Sequence, residues 1–200
     1  MNMQTIDKRV TYRIYGNKRG WVFTSSCFYD IGSQFAVRKA VERLAASGVI
    51  RRLAPGLYDY PRQHPVLGDQ LPGYDQIGRA LAGQRKLKLQ PSGAYAANLL
   101  GLTEQVPAKV VFLTDGASRK VVIGKQEIIL KRTTPKNMAA AGRISGLVIQ
   151  ALRDLGKGNV DDGVISKLKR RLSQLDKEQL LKDISCAPEW IGAIFRKMVV

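Results

Sequence analysis

The side chains whose types and spacing suggest chemistry are cationic and hydrogen-bonding groups in one predicted helix over residues 33–47. The first two turns of that helix carry Ser33, Gln34, Arg38 and Lys39. The N-terminal half of a recognition helix reaches base edges in the major groove, where Arg and Gln bond bidentately to guanine and adenine. We therefore predict that these four side chains contact double-stranded DNA. The alternative is a solvated polar helix face without a partner.

An amphipathic pattern positions this polar face. Apolar residues recur at intervals of three and four, at Val37, Ala40, Val41 and Leu44. This period predicts that the opposite side of the helix is buried. Gly48 follows where a left-handed residue commonly ends a helix. Arg43 lies near that end, where a phosphate contact and an ordinary surface position are equally compatible with the pattern.

Two further polar groups flank the helix. Hydroxyl groups stand together at Thr24, Ser25 and Ser26, before a second, short predicted helix. Hydroxyls and free backbone N–H groups at a helix N-terminus bind phosphate, although ordinary capping explains the same residues equally well. Arg51 and Arg52 are adjacent in a predicted strand. Because successive strand side chains point to opposite faces, we expect only one of the two to meet DNA, and the sequence leaves open which.

The surrounding residues predict the elements that hold this helix in place. In chain order these are helix 5–15, strand 21–23, a short helix, helix 33–47 and hairpin 49–60. This order is that of a winged helix-turn-helix, in which three helices form the smallest core that can hold one helix outward. The hairpin turns at Ala54-Pro55-Gly56 and braces the far side. We predict a DNA-binding domain of this kind over residues 1–64.

The remainder predicts a second domain over residues 73–200, after a linker rich in Pro and Gly at 61–75. Strand patterns occur at Arg85–Leu89, 109–114, 119–123 and 127–130, with turns at Asp115-Gly116 and Gly124-Lys125. A small antiparallel sheet within 85–132 is the simplest product. Helical patterns follow between 139 and 198. The predicted fold class is α+β, with the winged domain followed by a mixed domain whose C-terminal region is helical.

The overall charge indicates a polyanionic partner. Lys and Arg number 33 against 16 Asp and Glu, which gives a formal net charge of +17 over 200 residues. The excess is spread along the chain and is not confined to a tail. Apolar residues make up 44% of the sequence, as in an ordinary globular protein. This combination favours a folded body that meets nucleic acid over a broad face.

Several classes of function find no support in the residue types. The sequence has no phosphate-binding glycine loop, no zinc-protease motif and one histidine, so we expect no catalytic residues, cofactor or metal. Cys27 and Cys186 are far apart and isolated, which fits a reducing cytoplasm. The N-terminus lacks the apolar core of a signal peptide, and no apolar run is long enough to span a membrane.

One cluster leaves an enzymatic alternative. Asp115, Glu127 and Lys131 lie on or beside predicted strands, where they could mimic the acidic cluster of a nuclease. Turn formation and cross-strand charge pairing explain these residues better. A nucleic-acid-processing enzyme is therefore the least favoured hypothesis.

The segment Gly48–Tyr58 carries a family resemblance. Together with the preceding Val41–Leu44 it resembles the AbiEi antitoxins of type IV (abortive infection) toxin-antitoxin systems, in the glycine at the helix end, the Ile-x-Arg pair and the Gly-x-Tyr of the wing. A weaker similarity runs through Ala94–Thr103. The resemblance implies an N-terminal domain that binds inverted repeats in its own promoter and a C-terminal domain that neutralises a nucleotidyltransferase-like toxin. It also implies that Arg52 could form a structural ion pair instead of a phosphate contact.

Together these patterns predict a sequence-specific DNA-binding antitoxin that represses its own operon and counteracts a nucleotidyltransferase-like toxin. Such a protein would be cytoplasmic, would need no cofactor, and would have operator DNA and a toxin protein as partners. The second hypothesis is a plain winged-helix transcriptional regulator whose C-terminal domain dimerises or senses a ligand.

Overall fold

The computed structural model describes residues 5–83 and 87–199. The chain forms two compact units, Met1–Lys86 and Leu87–Val200. Both units combine α-helices with small sheets, so the chain has the predicted α+β class. Among the described residues, none of the helices is both long enough and apolar enough to cross a membrane.

The described residues of the first unit form three α-helices, one 3₁₀ helix and five short strands. In chain order they are α1 (Ile6–Gly16), β1 (Val22–Thr24), a one-turn 3₁₀ helix (Ser25–Phe28), α2 (Gln34–Ala46), β2 (Arg51–Ala54), β3 (Leu57–Asp59), β4 (Arg62–His64), β5 (Gly68–Gln70) and α3 (Tyr74–Ala82). The first six elements follow the order that the sequence predicts.

Helix α2 begins and ends where its residue types indicate. The Ser33 hydroxyl accepts a hydrogen bond from the Ala36 backbone N–H at 3.3 Å, which caps the first turn. The helix ends at Ala46, and Gly48 then adopts a φ of +74°, a left-handed conformation that costs glycine little. Val37 and Val41 on its inner face are fully buried, as the period of the apolar residues predicts.

An aromatic and aliphatic core lies behind α2. Val10 and Ile14 of α1 are fully buried in the same cluster as the inner face of α2. Phe23 packs edge-to-face on Phe28, with ring centroids 5.4 Å apart, and lies 6.1 Å from the ring of Tyr58. The strands, the 3₁₀ helix and both long helices therefore contribute to one core.

The three-stranded sheet of this unit has the order β1-β3-β2, with both pairs antiparallel. Strands β2 and β3 form the predicted hairpin around Pro55-Gly56. Gly56 has a φ of +73°, which allows the two-residue connection. Strand β3 lies in the middle of the sheet, and all three of its residues are buried.

A buried ion pair joins the two strands of the hairpin. Asp59 on β3 is only 1% exposed, and Arg51 on β2 donates to both of its oxygens, at 3.1 Å and 2.7 Å. The same guanidinium donates to the Gln70 carbonyl at 2.8 Å. Burial raises the pKa of Asp59, while the bonds from Arg51 act in the opposite direction. Of the two adjacent arginines, Arg51 and Arg52, Arg51 is therefore the one that has a structural role.

The segment expected to be a linker is folded into the first unit. Strands β4 and β5 form a hairpin, in which His64 Nδ1 accepts hydrogen bonds from the backbone N–H groups of Val66 and Leu67, both at 3.2 Å. Helix α3 packs beside β1, and Gln76 Nε2 donates to the Gly20 carbonyl at 3.2 Å. The first unit thus extends past residue 64, because the Pro and Gly residues shape tight turns and not a flexible connection.

The second unit has a four-stranded sheet and five α-helices in its described residues, besides short 3₁₀ helices at Pro135–Met138, Lys157–Asn159 and Ile184–Cys186. In chain order the strands and α-helices are β6 (Leu89–Ser92), α4 (Ala94–Leu99), β7 (Lys109–Thr114), β8 (Arg119–Ile123), β9 (Gln126–Arg132), α5 (Ile144–Leu155), α6 (Asp162–Arg171), α7 (Gln174–Lys182) and α8 (Glu189–Val199). The strand predicted at Arg85–Leu89 lies partly outside the described residues, and β6 begins at Leu89.

The sheet of the second unit is mixed, and the expectation of a purely antiparallel sheet is wrong. Its order is β6-β7-β9-β8, with β7 and β9 parallel. Strands β8 and β9 form the predicted hairpin around Gly124-Lys125, whereas Asp115-Gly116 does not close a hairpin. Both β7 and β9 carry fully buried side chains, while those of β8 are half-buried or exposed. The two strands with fully buried side chains therefore pair in the centre, and β8 takes the edge.

The C-terminal helices pack around α5. Val148, Ala151 and Leu152 of α5 are fully buried together with Leu168 of α6, Leu180 of α7 and Phe195 of α8. Helix α5 begins at Ile144 and not near residue 139, because Gly142 adopts a φ of +79° that interrupts the helical pattern.

The two adjacent arginines of β2 provide a stability test. Replacing Arg51 by Ala leaves the Asp59 carboxylate buried without a counter-ion, and we expect unfolding to become easier by about 3 kcal/mol. Arg52→Ala removes an exposed side chain and should change the free energy of unfolding by less than about 0.5 kcal/mol. Urea denaturation of both variants measures the difference. Equal stabilities would contradict the assignment of the buried pair.

Candidate nucleic-acid interface

The outward face of α2 is polar and accessible. Its exposed side chains are Gln34, Phe35, Arg38, Lys39, Glu42 and Arg43. The inner face of the same helix is buried, so the helix is held rigidly while this face meets solvent. The residues predicted to read DNA therefore lie together on one accessible surface.

Gln34 and Arg38 lie four residues apart, on adjacent turns of the same face. The Arg38 guanidinium donates one long hydrogen bond of 3.4 Å to the Tyr29 hydroxyl. The side chain of Gln34 forms no hydrogen bond to any described residue. Both side chains therefore retain donors for an external partner, and both types bond bidentately to purine bases.

Lys39 forms a surface ion pair with Glu42 at 3.1 Å, one turn further along α2. Both side chains are about half exposed. A solvated pair of this kind contributes less than about 1 kcal/mol, so the ammonium can exchange its partner for a phosphate at little cost. Lys39 Nζ also lies 5.9 Å from the centre of the Phe35 ring.

Arg43 bridges α2 to α1. Its guanidinium donates to both carboxylate oxygens of Asp7, at 2.6 Å and 2.9 Å. These bonds lower the pKa of Asp7 below its ordinary value. This bidentate bridge joins the two helices at the surface, and it leaves Arg43 less available to an external partner than Arg38 is.

The hydroxyl groups before the 3₁₀ helix bond locally. Thr24 Oγ1 and Ser26 Oγ share a hydrogen bond of 2.7 Å, and Ser25 is buried, with 8% of its surface exposed. Ser33 uses its hydroxyl to cap α2. Of these four residues only Ser33 caps a helix with its side chain, since Thr24 makes no side-chain capping bond to the 3₁₀ helix, and Ser25 lies off the accessible face.

Arg52 is exposed on β2, opposite Tyr58 of β3. It forms no salt bridge with any described residue, whereas its neighbour Arg51 is bound to Asp59. The alternation of strand side chains thus separates one structural arginine from one available arginine, as predicted. The resemblance to AbiEi antitoxins implied the opposite assignment.

Phe35 is the residue of this face that the sequence reasoning missed. Its side chain is 73% exposed, between Gln34 and Arg38 on the polar surface of α2. The signal was present, because residue 35 falls outside the apolar period that begins at Val37. A single exposed apolar side chain is common on protein surfaces, so it is the position of Phe35 on the same face as Gln34 and Arg38 that makes it a candidate contact.

The first unit binds most of its own carboxylates to cations. Asp7, Asp30, Glu42 and Asp59 each form a salt bridge with Arg or Lys. The same unit contains 14 Lys and Arg residues against six Asp and Glu. Cations that form no salt bridge within the described residues are Lys8, Arg9, Lys18, Arg19, Arg38, Arg52, Arg62 and Arg79. The unit therefore carries an uncompensated positive charge.

The acidic residues of the second unit do not form one site. Lys109 on β7 is paired in register with Glu127 on β9, whereas Asp115 follows the opposite end of β7. Asp115 Oδ1 accepts a hydrogen bond from the Lys88 backbone N–H at 3.0 Å. Glu127 is bound by Lys120, which lowers the pKa of its carboxyl. Across residues 5–83 and 87–199, no cluster of three or more His, Cys, Asp or Glu side chains could hold a metal ion.

Comparison with known proteins assigns the chain to a family. A family model described as a family of unknown function, DUF6088, matches residues 9–180. The chain belongs to the DUF6088 family. The match includes α2, the hairpin β2–β3 and most of the second unit. A search of curated proteins with this chain finds no match.

Proposed function

We propose that the first unit is a winged helix-turn-helix that binds double-stranded DNA, with α2 in the major groove and the β2–β3 hairpin as the wing. The observation that carries the proposal is the exposed row Gln34, Phe35 and Arg38, on a helix whose opposite side is fixed in the core. A rigid helix of this kind fits the major groove of B-DNA.

Each accessible side chain has a role suited to its chemistry. Gln34 and Arg38 bond to purine edges, and the ring of Phe35 packs on a thymine methyl group, a contact that apolar side chains make in the major groove. Lys39 and Arg52 bind phosphates, which position the unit on the duplex without reading its sequence. The uncompensated charge of the unit supports attraction to the duplex.

For the whole chain we propose an autoregulatory antitoxin, in which DNA binding represses its own operon and the second unit counteracts a nucleotidyltransferase-like toxin. The similarity of Gly48–Tyr58 to AbiEi antitoxins supports this proposal. A plain transcriptional regulator is the second candidate, supported by the same DNA-binding face. The two candidates share the first unit and differ in the role of residues 87–200.

Salt dependence tests the contact with DNA. A module that makes about five phosphate contacts should lose several hundred-fold in affinity between about 50 and 200 mM salt. Arg52→Ala should weaken binding to specific and random duplexes alike and reduce the slope of log affinity against log salt by about 1. Mobility-shift titrations measure both effects. An affinity independent of salt would exclude this mode of binding.

Replacement of thymine by uracil tests base reading, because it removes only the 5-methyl group. We expect wild-type binding to a duplex that contains the promoter of the gene to weaken about fourfold, because burial of one methyl group contributes about 0.8 kcal/mol. Phe35→Ala should bind both duplexes equally. Arg38→Ala should stay sensitive to uracil and lose about 1–3 kcal/mol of discrimination against random DNA. Full uracil sensitivity in Phe35→Ala would show that the ring does not contact a methyl group.

Co-expression separates the antitoxin from the plain regulator. If a neighbouring gene encodes a nucleotidyltransferase that arrests growth when expressed alone, the full chain should restore growth. The variant with Arg38→Ala and Arg52→Ala should restore growth equally, because neutralisation is assigned to the second unit, while repression of the promoter is lost. Continued arrest in the presence of the folded wild-type chain would favour the plain regulator.

A further inference from the structure

Three arginines meet in a cleft of the first unit that is separate from the residues proposed to read DNA. The cleft has a volume of about 460 Å³, and its lining includes Arg19, Arg62 and Arg79. Asn17, Trp21 and Gln76 also line it. We refer to it as the arginine cleft. Its three arginines come from the segment after α1, from the start of β4 and from α3.

Backbone contacts hold two of the three guanidinium groups. Arg19 donates to the Pro61 carbonyl at 3.1 Å, and its guanidinium lies 4.7 Å above the ring of Tyr60. Arg62 Nε donates to the carbonyl of Arg19 in a long bond of 3.4 Å. Neither arrangement uses all five donors of a guanidinium, so both side chains keep N–H groups for a ligand.

Gly20 provides the space in which this arrangement forms. A Cβ atom at this position would lie 2.4 Å from Arg62 Nε, and the backbone has a φ of +95°, which side chains rarely allow. The Gly20 N–H donates to the Tyr60 carbonyl at 2.6 Å, and its own carbonyl accepts from Gln76 at 3.2 Å. The close approach of Arg62 to the main chain is therefore built into the fold.

The charge of the cleft has no counterpart in the residues that surround it. Among the described residues that line it, none is Asp or Glu. In the described part of the chain, none of its three arginines forms a salt bridge, although four other cations of the same unit do. Guanidinium groups that share a concave site repel one another, and a bound anion removes that repulsion.

We propose that the arginine cleft binds a phosphorylated small molecule. Arginine forms strong bidentate bonds with phosphate, and three of these side chains match the several oxygens of a phosphate ester. The volume lies in the range of small-molecule sites, which is about 300–1,000 Å³. Trp21 and Val22 supply an apolar wall for the remainder of the ligand. This concave shape favours a small ligand over a duplex, which meets the protruding face of α2.

Calorimetric titration of the full chain with pyrophosphate and with AMP tests the proposal. We expect saturable binding of at least one probe, weakened tenfold or more by Arg79→Gln, because no residue in 5–83 or 87–199 forms a salt bridge with the guanidinium that this change removes. Arg196→Gln, an equally exposed arginine of α8, is the matched control and should bind as the wild type does. Absence of saturable binding to both probes, or equal affinities for the two variants, would overturn the proposal.

The same variants separate this site from DNA binding. Arg79 lies outside the face of α2 and contributes to DNA binding only through the general positive charge of the unit, so Arg79→Gln should weaken affinity for duplex DNA far less than Arg52→Ala does. If it instead weakens DNA binding as strongly as Arg52→Ala does, while neither probe binds, the cleft is a contact for the duplex backbone and the small-molecule proposal fails. If the wild-type chain does not bind duplex DNA, the proposed function is rejected, but the result of the titrations with pyrophosphate and AMP still decides whether the arginine cleft binds phosphate.

Discussion

Burial of the inner face of α2 is the constraint on which the first unit depends. Val37 and Val41 pack against Val10 and Ile14 of α1, and each buried side chain of this type contributes about 1.5–3 kcal/mol. This packing fixes the rotation of the helix about its own axis, so Gln34 and its neighbours must point outward. The Arg43–Asp7 bridge adds a second restraint between the same two helices. The accessible polar face is thus a direct consequence of the core.

The cations of this unit divide into those that stabilise the fold and those that remain available to a partner. Arg51 and Arg43 are held by carboxylates, and neutralising those acids inside the unit leaves the other positive charges unopposed. Arg51 and Arg52 are adjacent in β2, yet the pleat of the strand places Arg51 beside the buried Asp59 and Arg52 in solvent. A high net charge therefore says little about function until each cation is assigned a partner.

Local patterns predicted the first six elements of the first unit but not its β4–β5 hairpin, and long-range packing decided the rest. The apolar period gave α2 and its buried residues correctly, and Pro55-Gly56 gave the hairpin. The exposed row on α2 was predicted except for Phe35. The partner of Arg51 depends on the burial of Asp59, which adjacent residues do not indicate. Likewise, Arg19, Arg62 and Arg79 are far apart in sequence, so only the folded chain brings them to one cleft.

The parallel pairing of β7 with β9 has a consequence for the order in which the second unit folds. The β8–β9 hairpin closes through a two-residue connection, and such hairpins form within about 1–10 μs. The β7–β9 ladder joins residues separated by the whole of β8, so its formation must overcome a larger loop-closure entropy. We therefore expect the hairpin to form first and to dock as a unit onto β7, which makes the central ladder the late, rate-determining contact of the sheet.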